Sequence, residues 1–223
     1  MNGALAAIAG GAVGSVQPGI IARATRWVEQ GGHGLVPALA LPPWAARGLG
    51  VILLDYTLWH WHRLCHVLPR LWRLHAAHHA DLDLDASTAL RFHFGELLAS
   101  VPIRFLQIVG LGIDRATLRT WETAVVVAIL VHHSNVRLPY WLDGALGHVI
   151  ITPRLHGIHH AVRPYRLDRN FGTLLSIWDR THGTRSADPA PDELAIGLEV
   201  VLASGPLGLL ETLAFPLRSA PPQ

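Results

Sequence analysis

Apolar residues are concentrated in four long stretches of the chain, and most charged residues lie between them. The stretches cover residues 35–61, 96–113, 120–133 and 194–215. No segment alternates with the two-residue period of a half-buried strand, so the pattern predicts an all-α fold. The N-terminal segment MNGALAAIAGGAVGSV is also apolar but lacks the positive start of a signal peptide. We therefore expect an uncleaved first membrane helix or an interfacial helix there.

The second and third stretches predict a helical hairpin that dips into a bilayer and returns to its starting side. Each stretch is shorter than the roughly 20 apolar residues of a simple span, and only the polar segment DRATLR separates them. Two short tilted spans, or two core helices of a soluble bundle, fit the same pattern. The fourth stretch contains Glu199, Pro206 and Glu211, so we expect it to lie on a surface or to dock.

The composition favours a membrane protein. The chain has 223 residues, of which 50% are hydrophobic and 15% are charged, and its mean hydropathy is +0.31. The charged share is well below the roughly 25% of a typical soluble domain. The length suffices for one domain with a sizeable core, so we predict a single membrane-embedded domain over residues 1–223.

The charge pattern argues against nucleic acid as a partner and predicts an orientation. All 18 cationic side chains are arginines, and no basic run is interleaved with aromatic residues. Eleven arginines lie in residues 63–91 and 137–185, the segments that flank the predicted hairpin. Since a returning hairpin places both segments in one compartment, the positive-inside tendency predicts that they face the cytoplasm. Alternatively, some of these arginines pair with nearby aspartates.

Histidine is the unusual residue in this composition, because the chain has 15 histidines and one cysteine. The single cysteine, Cys65, excludes an intrachain disulfide, a cysteine-rich zinc site and a cysteine-ligated iron–sulfur cluster. We expect Cys65 to be a small buried apolar residue.

Eight histidines occur in three motifs whose spacing suits a shared metal site. Residues three or four apart on an α-helix share one face, with Cβ atoms about 5–6 Å apart. The motif HRLCH places two histidines on one face, and each of the motifs HAAHH and HGIHH places three there. The motif histidines are His62, His66, His75, His78, His79, His156, His159 and His160.

These imidazoles predict a centre with two metal ions. Neutral imidazole suits iron, zinc, copper and nickel. Because one ion takes about three to six ligands, eight histidines are too many for one ion and about right for two. An isolated HxxxH motif is more often an ordinary hydrogen-bonded pair. Three such motifs near a membrane would bury many unpartnered imidazoles at high cost, so something must satisfy them.

Seven segments resemble the fatty acid hydroxylase and sterol desaturase superfamily of membrane non-haem di-iron oxygenases. They read DYTLWHWHRLCH, LWRLHAAHH, STALRFHFGE, HHSNVRLP, TPRLHGIHH, RNFG and IWDRTHGT, in the family's order and approximate spacing, and the resemblance covers about residues 53–183. The resemblance implies that the eight motif histidines are iron ligands and that His133 is a ninth. The chain departs from some relatives at Arg137, where they have a further histidine. At the position of His182 the family is commonly aromatic, so His182 is not taken as a ligand.

The resemblance also implies an activity, a location and partners. Relatives use O₂ and external electrons to hydroxylate or desaturate a C–H bond of a lipid such as a fatty acyl chain or sterol. By resemblance, the chain is a multi-pass integral membrane bundle with a cytoplasmic histidine-rich cap. This cap holds two non-haem irons, for which zinc can substitute in purified protein. Since the sequence has no haem attachment motif, no iron–sulfur cysteines and no dinucleotide fingerprint, a separate donor protein would supply the electrons.

The other histidines are assigned by their position. His60 lies nearly opposite the motif histidines of its helix, and only one of His132 and His133 is expected to point inward. His93 is expected either to orient a ligand or to pack against Glu96. His33 and His148 are expected to have no role at the site.

Several carboxylates and amides are candidates for hydrogen bonds to the ligands. Asp55 lies in an apolar stretch, where an unpartnered charge is costly, so it is expected to accept a hydrogen bond from a ligand's other ring nitrogen. The same role, or the capping of helices and turns, is open for Asn135, Asp168, Asn170 and Asp179.

Two other kinds of protein carry many histidines at a membrane. A membrane-associated zinc-dependent hydrolase needs a general base, but the HExxH motif is absent and no glutamate lies inside a histidine motif. A non-enzymatic metal-binding membrane protein would favour labile cysteine, methionine or carboxylate ligands, and the chain has one Cys and one Met. A soluble ferritin-like bundle needs paired Glu-x-x-His motifs, which are lacking.

Overall fold

The regular structure of the chain is helical. The computed structural model describes residues 1–162, 168–187 and 195–217. Its α-helices are α1 (Asn2–Gly14), α2 (Gln17–Gly31), α3 (Leu35–Ala38), α4 (Pro43–Val67), α5 (Pro69–His79), α6 (Phe94–Leu111), α7 (Arg115–His132), α8 (Tyr140–Leu146), α9 (Pro153–His159), α10 (Ile177–Thr181), α11 (Glu199–Ser204) and α12 (Leu209–Ala214). Two 3₁₀ turns cover Thr88–Leu90 and Phe215–Leu217. Within these ranges β-structure is limited to two isolated bridges, so the all-α prediction is confirmed there.

Helices α6 and α7 form the predicted hairpin through a sharp turn at residues 112–114. Gly112 ends α6 with φ of 73°, in the left-handed region that glycine tolerates best. A Cβ at this position would also collide with Pro37 and with the His33 carbonyl. Asp114 then begins α7, since its side chain accepts the Thr117 N–H at 2.6 Å.

Both outer ends of the hairpin lie at the histidine motifs. At the first turn of α6, Glu96 Oε1 lies 3.0 Å from Nδ1 of His75 on α5. Helix α7 ends at His132, and Nε2 of the next residue, His133, lies 3.3 Å from Nε2 of His78. The hairpin therefore returns to its starting side, as predicted.

One apolar core ties the hairpin to the rest of the bundle. It joins α2, α4, α6 and α7, and its buried members are Ala24, Val28, Leu54, Ile108, Ile113, Leu118 and Trp121. Full burial of each large side chain contributes about 1.5–3 kcal/mol. Helix α4 packs along α5 and α7, while α1 and α2 pack against α6.

The C-terminal segment docks against α5, as predicted for the fourth apolar stretch. Its buried side chains Leu198, Val201, Leu207 and Phe215 form a second core with Trp72, Ala76 and Ala80. The Trp72 ring of this core also packs against His66, with centroids 5.1 Å apart, so the docked segment supports α5 next to the histidines.

Candidate membrane spans are few among the described helices. Helix α6 is long and apolar enough to cross a membrane. Its 18 residues extend about 27 Å, close to the roughly 30 Å hydrocarbon core of a bilayer. The pair Asn2–Gly14 and Gln17–Ala38, bent by 48°, passes the same test as a single broken span. Of the arginines that predict the orientation, Arg163 and Arg166 lie outside the described residues.

Candidate metal centre

The nine histidines predicted as ligands lie in two adjacent groups. The first group is His62, His66, His75, His79 and His159, and the second group is His78, His133, His156 and His160. Within each group, one ring nitrogen of every histidine lies within 4.8 Å of the others. The groups touch where the rings of His79 and His160 stack with centroids 4.3 Å apart.

Each HxxHH motif contributes histidines to both groups, because its last two histidines are adjacent in the chain. Helix α5 ends in HAAHH, and α9 leads directly into the last histidine of HGIHH. Neighbouring side chains on a helix point about 100° apart. His78 and His79 therefore enter different groups, and so do His159 and His160. Helix α4 adds the pair from HRLCH, one turn apart, to the first group.

Eight of the nine histidines are buried, and His62 is partly exposed. His79, His159 and His160 have no exposed surface. Burial, followed by the charges of neighbouring imidazoles, holds the pKa of each of these three side chains well below the usual range of histidine. They are therefore neutral at pH 7, which is the form that binds a metal.

Hydrogen bonds determine which nitrogen of the second group carries a proton. Nδ1 of His78 lies 3.2 Å from the Arg91 carbonyl oxygen, and Nδ1 of His133 lies 2.7 Å from that of Ile129. Both Nδ1–H groups thus donate to the backbone, and each neutral ring keeps a lone pair on Nε2. These two Nε2 atoms face each other at 3.3 Å. Two lone pairs at this distance repel unless a cation lies between them.

In the first group, too, Nδ1–H groups donate to backbone carbonyls. Nδ1 of His62 lies 2.8 Å from the Phe171 carbonyl oxygen, and Nδ1 of His159 lies 2.7 Å from that of Arg169. The remaining nitrogen of His159, Nε2, is buried without a hydrogen-bond partner. Leaving a buried polar atom unsatisfied costs about 1–3 kcal/mol. A metal ligand bond removes this cost.

The distances between ring nitrogens match a coordination shell. Nε2 of His156 lies 3.0 Å from Nε2 of His133 and 3.1 Å from that of His160, and the Nε2 atoms of His75 and His79 are 3.2 Å apart. With metal–nitrogen bonds of about 2.1 Å, adjacent ligands lie about 3.0 Å apart in an octahedron and about 3.4 Å apart in a tetrahedron. The residues present therefore fit one imidazole-bound metal ion in each group.

A buried aspartate holds the loop that orients His62. Asp179 accepts hydrogen bonds from Trp59 Nε1 at 2.9 Å, from the Phe171 N–H at 2.9 Å and from the Gly172 N–H at 2.8 Å. These bonds fix the peptide at Phe171, whose carbonyl accepts the His62 Nδ1–H. Asp179 thus acts on the first group through the backbone.

The variant Asp179→Ala is expected to lower the free energy of unfolding by at least about 3 kcal/mol, because each hydrogen bond to a charged group contributes about 1.5–3 kcal/mol. Thermal unfolding of the detergent-solubilised chain measures this loss. Glu199→Ala, which removes an exposed carboxylate from the first turn of α11, is the control. Equal unfolding temperatures for the two variants would contradict the role of Asp179.

The predicted role of Asp55 is wrong, since its hydrogen bonds go to a loop rather than to a ligand. Its carboxylate accepts the backbone N–H groups of Leu174 and Leu175, both at 3.2 Å, and Trp178 Nε1 at 2.7 Å. Three donors satisfy the buried charge without any histidine.

The expectations for two further histidines are corrected by the structure. His93 does not orient a ligand: its Nδ1 caps α6 by accepting the Gly95 N–H, and its Nε2–H donates to the Leu213 carbonyl. The expectation that only one of His132 and His133 points inward is wrong, since both side chains are buried. The His132 ring packs 4.0 Å from that of His156, between centroids. His132 thus packs against the second group without belonging to it.

Four other histidines lie outside the two groups, as predicted. His33 stacks on Trp27, and the His148 Nδ1–H donates to the Gly144 carbonyl. The remaining pair, His60 and His182, is exposed at the surface.

Sequence reasoning missed one polar contact to a predicted ligand. Glu96 is 4% exposed, and its Oε1 accepts the Nδ1–H of His75 at 3.0 Å. The available signal was a single carboxylate in the first turn of a mostly apolar helix, where an unpartnered charge is costly.

The fold and the site define a helical protein in which nine histidines form two adjacent groups that could each hold a metal ion. The sequence model of the fatty acid hydroxylase family matches residues 48–184, and the chain belongs to this family. It is 34% identical to the ornithine lipid hydroxylase OlsE of Rhizobium tropici over 163 residues, which are 73% of this chain and 48% of the relative.

Two further relatives show the range of the family. Alkylglycerol monooxygenase of Danio rerio is 28% identical over 78% of this chain and 36% of the relative. Cholesterol 25-hydroxylase of Mus musculus is 26% identical over 65% of this chain and 48% of the relative. The chain thus spans about half or less of the length of these relatives. No solved structure gives a significant match.

Proposed function

We propose that this chain is a membrane lipid hydroxylase that uses O₂, two bound iron ions and electrons from a separate donor protein. The observation that carries the proposal is the pair of buried groups of neutral imidazoles, with Nδ1 protons held by backbone carbonyls and Nε2 lone pairs facing one another. Family membership supports it, since relatives are named as a lipid hydroxylase, a monooxygenase and a sterol hydroxylase.

The nine histidines would hold the two metal ions, with five ligands in the first group and four in the second. Bound iron would supply the redox chemistry needed to oxidise an unactivated C–H bond with O₂. The chain's own contribution is to fix the ring orientations through the carbonyls of Arg169 and Phe171, and to exclude water by burying the rings. In the described part of the chain the two groups contain histidines alone, with no carboxylate as a candidate ligand.

An apolar groove suits a lipid substrate. A cavity of about 390 Å³ lies between α4 and α6. It is lined by Thr57, His60, Trp61, Leu64, Ile103, Leu106, Gln107, Gly110 and Leu111. The lining residues of α4 lie on the face opposite the proposed ligands His62 and His66, and α6 is the candidate span. An acyl chain in this groove would lie along α6 and would have to pass around α4 to reach the metal centre.

The position of the metal centre relative to the membrane is proposed from helix α6, the hairpin and the flanking arginines. Helix α6 would cross or enter the bilayer, and the returning hairpin would leave the histidines at its boundary. The arginines that flank the hairpin would place the centre on the cytoplasmic side. Hydroxylation is preferred to desaturation because the names of the relatives report hydroxylation or monooxygenation.

Product formation is expected to require both O₂ and a one-electron donor. The iron-loaded chain in lipid nanodiscs is supplied with ornithine lipid, an alkylglycerol or cholesterol, under ¹⁸O₂, with NADPH, ferredoxin reductase and a [2Fe–2S] ferredoxin. Mass spectrometry is expected to find one ¹⁸O atom in the product of at least one substrate, and none when the ferredoxin is omitted. Turnover without any reductant, or oxygen derived from water, would contradict the proposal.

A further inference from the structure

Glu96 lies in an unusual position for a carboxylate. It is 4% exposed at the start of the apolar helix α6, and its Oε1 accepts the Nδ1–H of His75 at 3.0 Å. Its second oxygen, Oε2, is buried without a hydrogen-bond partner. The other neighbour is the thiol of Cys65, 4.0 Å from Oε1. A buried, half-satisfied carboxylate is costly unless a nearby positive charge compensates it.

The two histidine groups differ in the charge of the groups that accept their Nδ1–H protons. In the second group, Nδ1 of His78 and Nδ1 of His133 donate to backbone carbonyls, which are neutral. Of the described carboxylates, Asp168 also approaches the first group, at 3.9 Å from Nδ1 of His66, but its side chain is 47% exposed. Asp81 acts electrostatically on His133 of the second group, but it lies 4.0 Å from the Arg91 guanidinium, which offsets its charge. The buried, half-satisfied carboxylate is therefore on the side of the first group.

We propose that Glu96 is a positioning residue that makes the two metal positions unequal. This inference rests on the two-metal function proposed above. By accepting the His75 Nδ1–H, the carboxylate fixes the ring so that its Nε2 lone pair turns to the metal. Its charge also offsets the charge of an ion in the first group. The first group therefore binds its metal ion more tightly than the second.

A third metal site at Cys65, His75 and Glu96 does not explain the geometry. Although their ligand atoms lie within 4.8 Å of one another, the Nδ1–H of His75 points to Glu96. The lone pair of His75 is on Nε2, which lies 3.2 Å from Nε2 of His79. His75 therefore has no free lone pair on the side of Glu96 and Cys65.

The variant Glu96→Gln tests the inference, because glutamine keeps a hydrogen-bond acceptor but lacks the charge. The metal-free full chain in detergent is titrated with Co²⁺ against a competing chelator, and the visible absorption of bound Co²⁺ is followed. The native chain is expected to bind two equivalents with different affinities. In Glu96→Gln the tighter equivalent is expected to weaken by about 10–100-fold, the usual effect of mutating a residue that hydrogen-bonds a metal ligand, while the weaker equivalent is unchanged.

Two further variants separate charge from packing. Glu122→Gln, a half-buried glutamate of α7 outside the centre, is expected to titrate like the native chain. Glu96→Asp keeps the charge on a shorter side chain and is expected to retain more of the tight binding than Glu96→Gln. Equal losses in Glu96→Asp and Glu96→Gln, or equal weakening of both equivalents, would overturn the role of Glu96.

The native titration separates this inference from the proposed function. If the native chain binds two equivalents and Glu96→Gln changes neither, the inference fails and the two-metal centre stands. If the native chain does not bind two equivalents, the proposed centre fails and the inference fails with it.

Discussion

Replacing His159 with alanine is expected to abolish lipid hydroxylation and to empty the first metal position. Nε2 of His159 is buried without a hydrogen-bond partner, and Nδ1 is held by the Arg169 carbonyl, so this ring is already oriented as a ligand. Loss of a partner behind a ligand costs about 10–100-fold in metal affinity or activity, and loss of the ligand itself is expected to exceed this. Iron content per chain and product formation measure the two effects.

Two histidines outside the centre provide the control. His33 stacks on Trp27, and His148 is exposed and donates to the Gly144 carbonyl. Their alanine variants are expected to keep native iron content and turnover. If they lost as much iron as His159→Ala, the loss would reflect the number of histidines rather than the geometry of the centre.

Removing the metal is expected to have an equally large effect, and only a redox-active ion is expected to reverse it. After treatment with a chelator, the chain is reloaded with Fe²⁺ or with Zn²⁺. Zinc binds the same nitrogen ligands but has no redox chemistry. We therefore expect both ions to fill the two groups, with turnover restored by Fe²⁺ alone.

Elemental analysis of the reloaded samples must accompany the product assay. The total number of bound ions does not distinguish a chain filled with zinc from one filled with iron, so each metal has to be measured separately. Hydroxylated product from a zinc-loaded chain that contains no iron would contradict the proposed role of iron.

The histidine centre was largely predictable from the sequence because helix geometry converts spacing into direction. In HAAHH and HGIHH, the last two histidines are adjacent and point about 100° apart. That difference sends His78 and His79, and likewise His159 and His160, into different groups. The hairpin was predictable for a similar reason, since a three-residue turn at Gly112 joins two apolar helices.

The polar residues around the ligands were harder to predict because their partners are distant in the chain. Asp55 accepts hydrogen bonds from Leu174 and Trp178, more than 100 residues away. His93 donates to Leu213 of the docked C-terminal segment. Sequence spacing carries no information on such contacts, which depend on how the segments fold back over the helices.

The orientation of the first group depends on backbone carbonyls that no residue-type motif reveals. The carbonyls of Arg169 and Phe171 accept the Nδ1–H groups of His159 and His62. The segment RNFG was recognised as part of the family pattern, and its structural role is to present these carbonyls. Asn170 has φ of 55° and donates to the Leu155 carbonyl, which secures the conformation of the segment.

X-ray absorption at the iron edge is the most direct test of a bimetallic imidazole centre. On the anaerobically purified, iron-loaded chain, we predict two irons per chain with a first shell of nitrogen at about 2.1 Å, the outer scattering typical of imidazole rings, and no sulfur. A sulfur shell, a shell dominated by carboxylate oxygen or a single iron per chain would contradict the account.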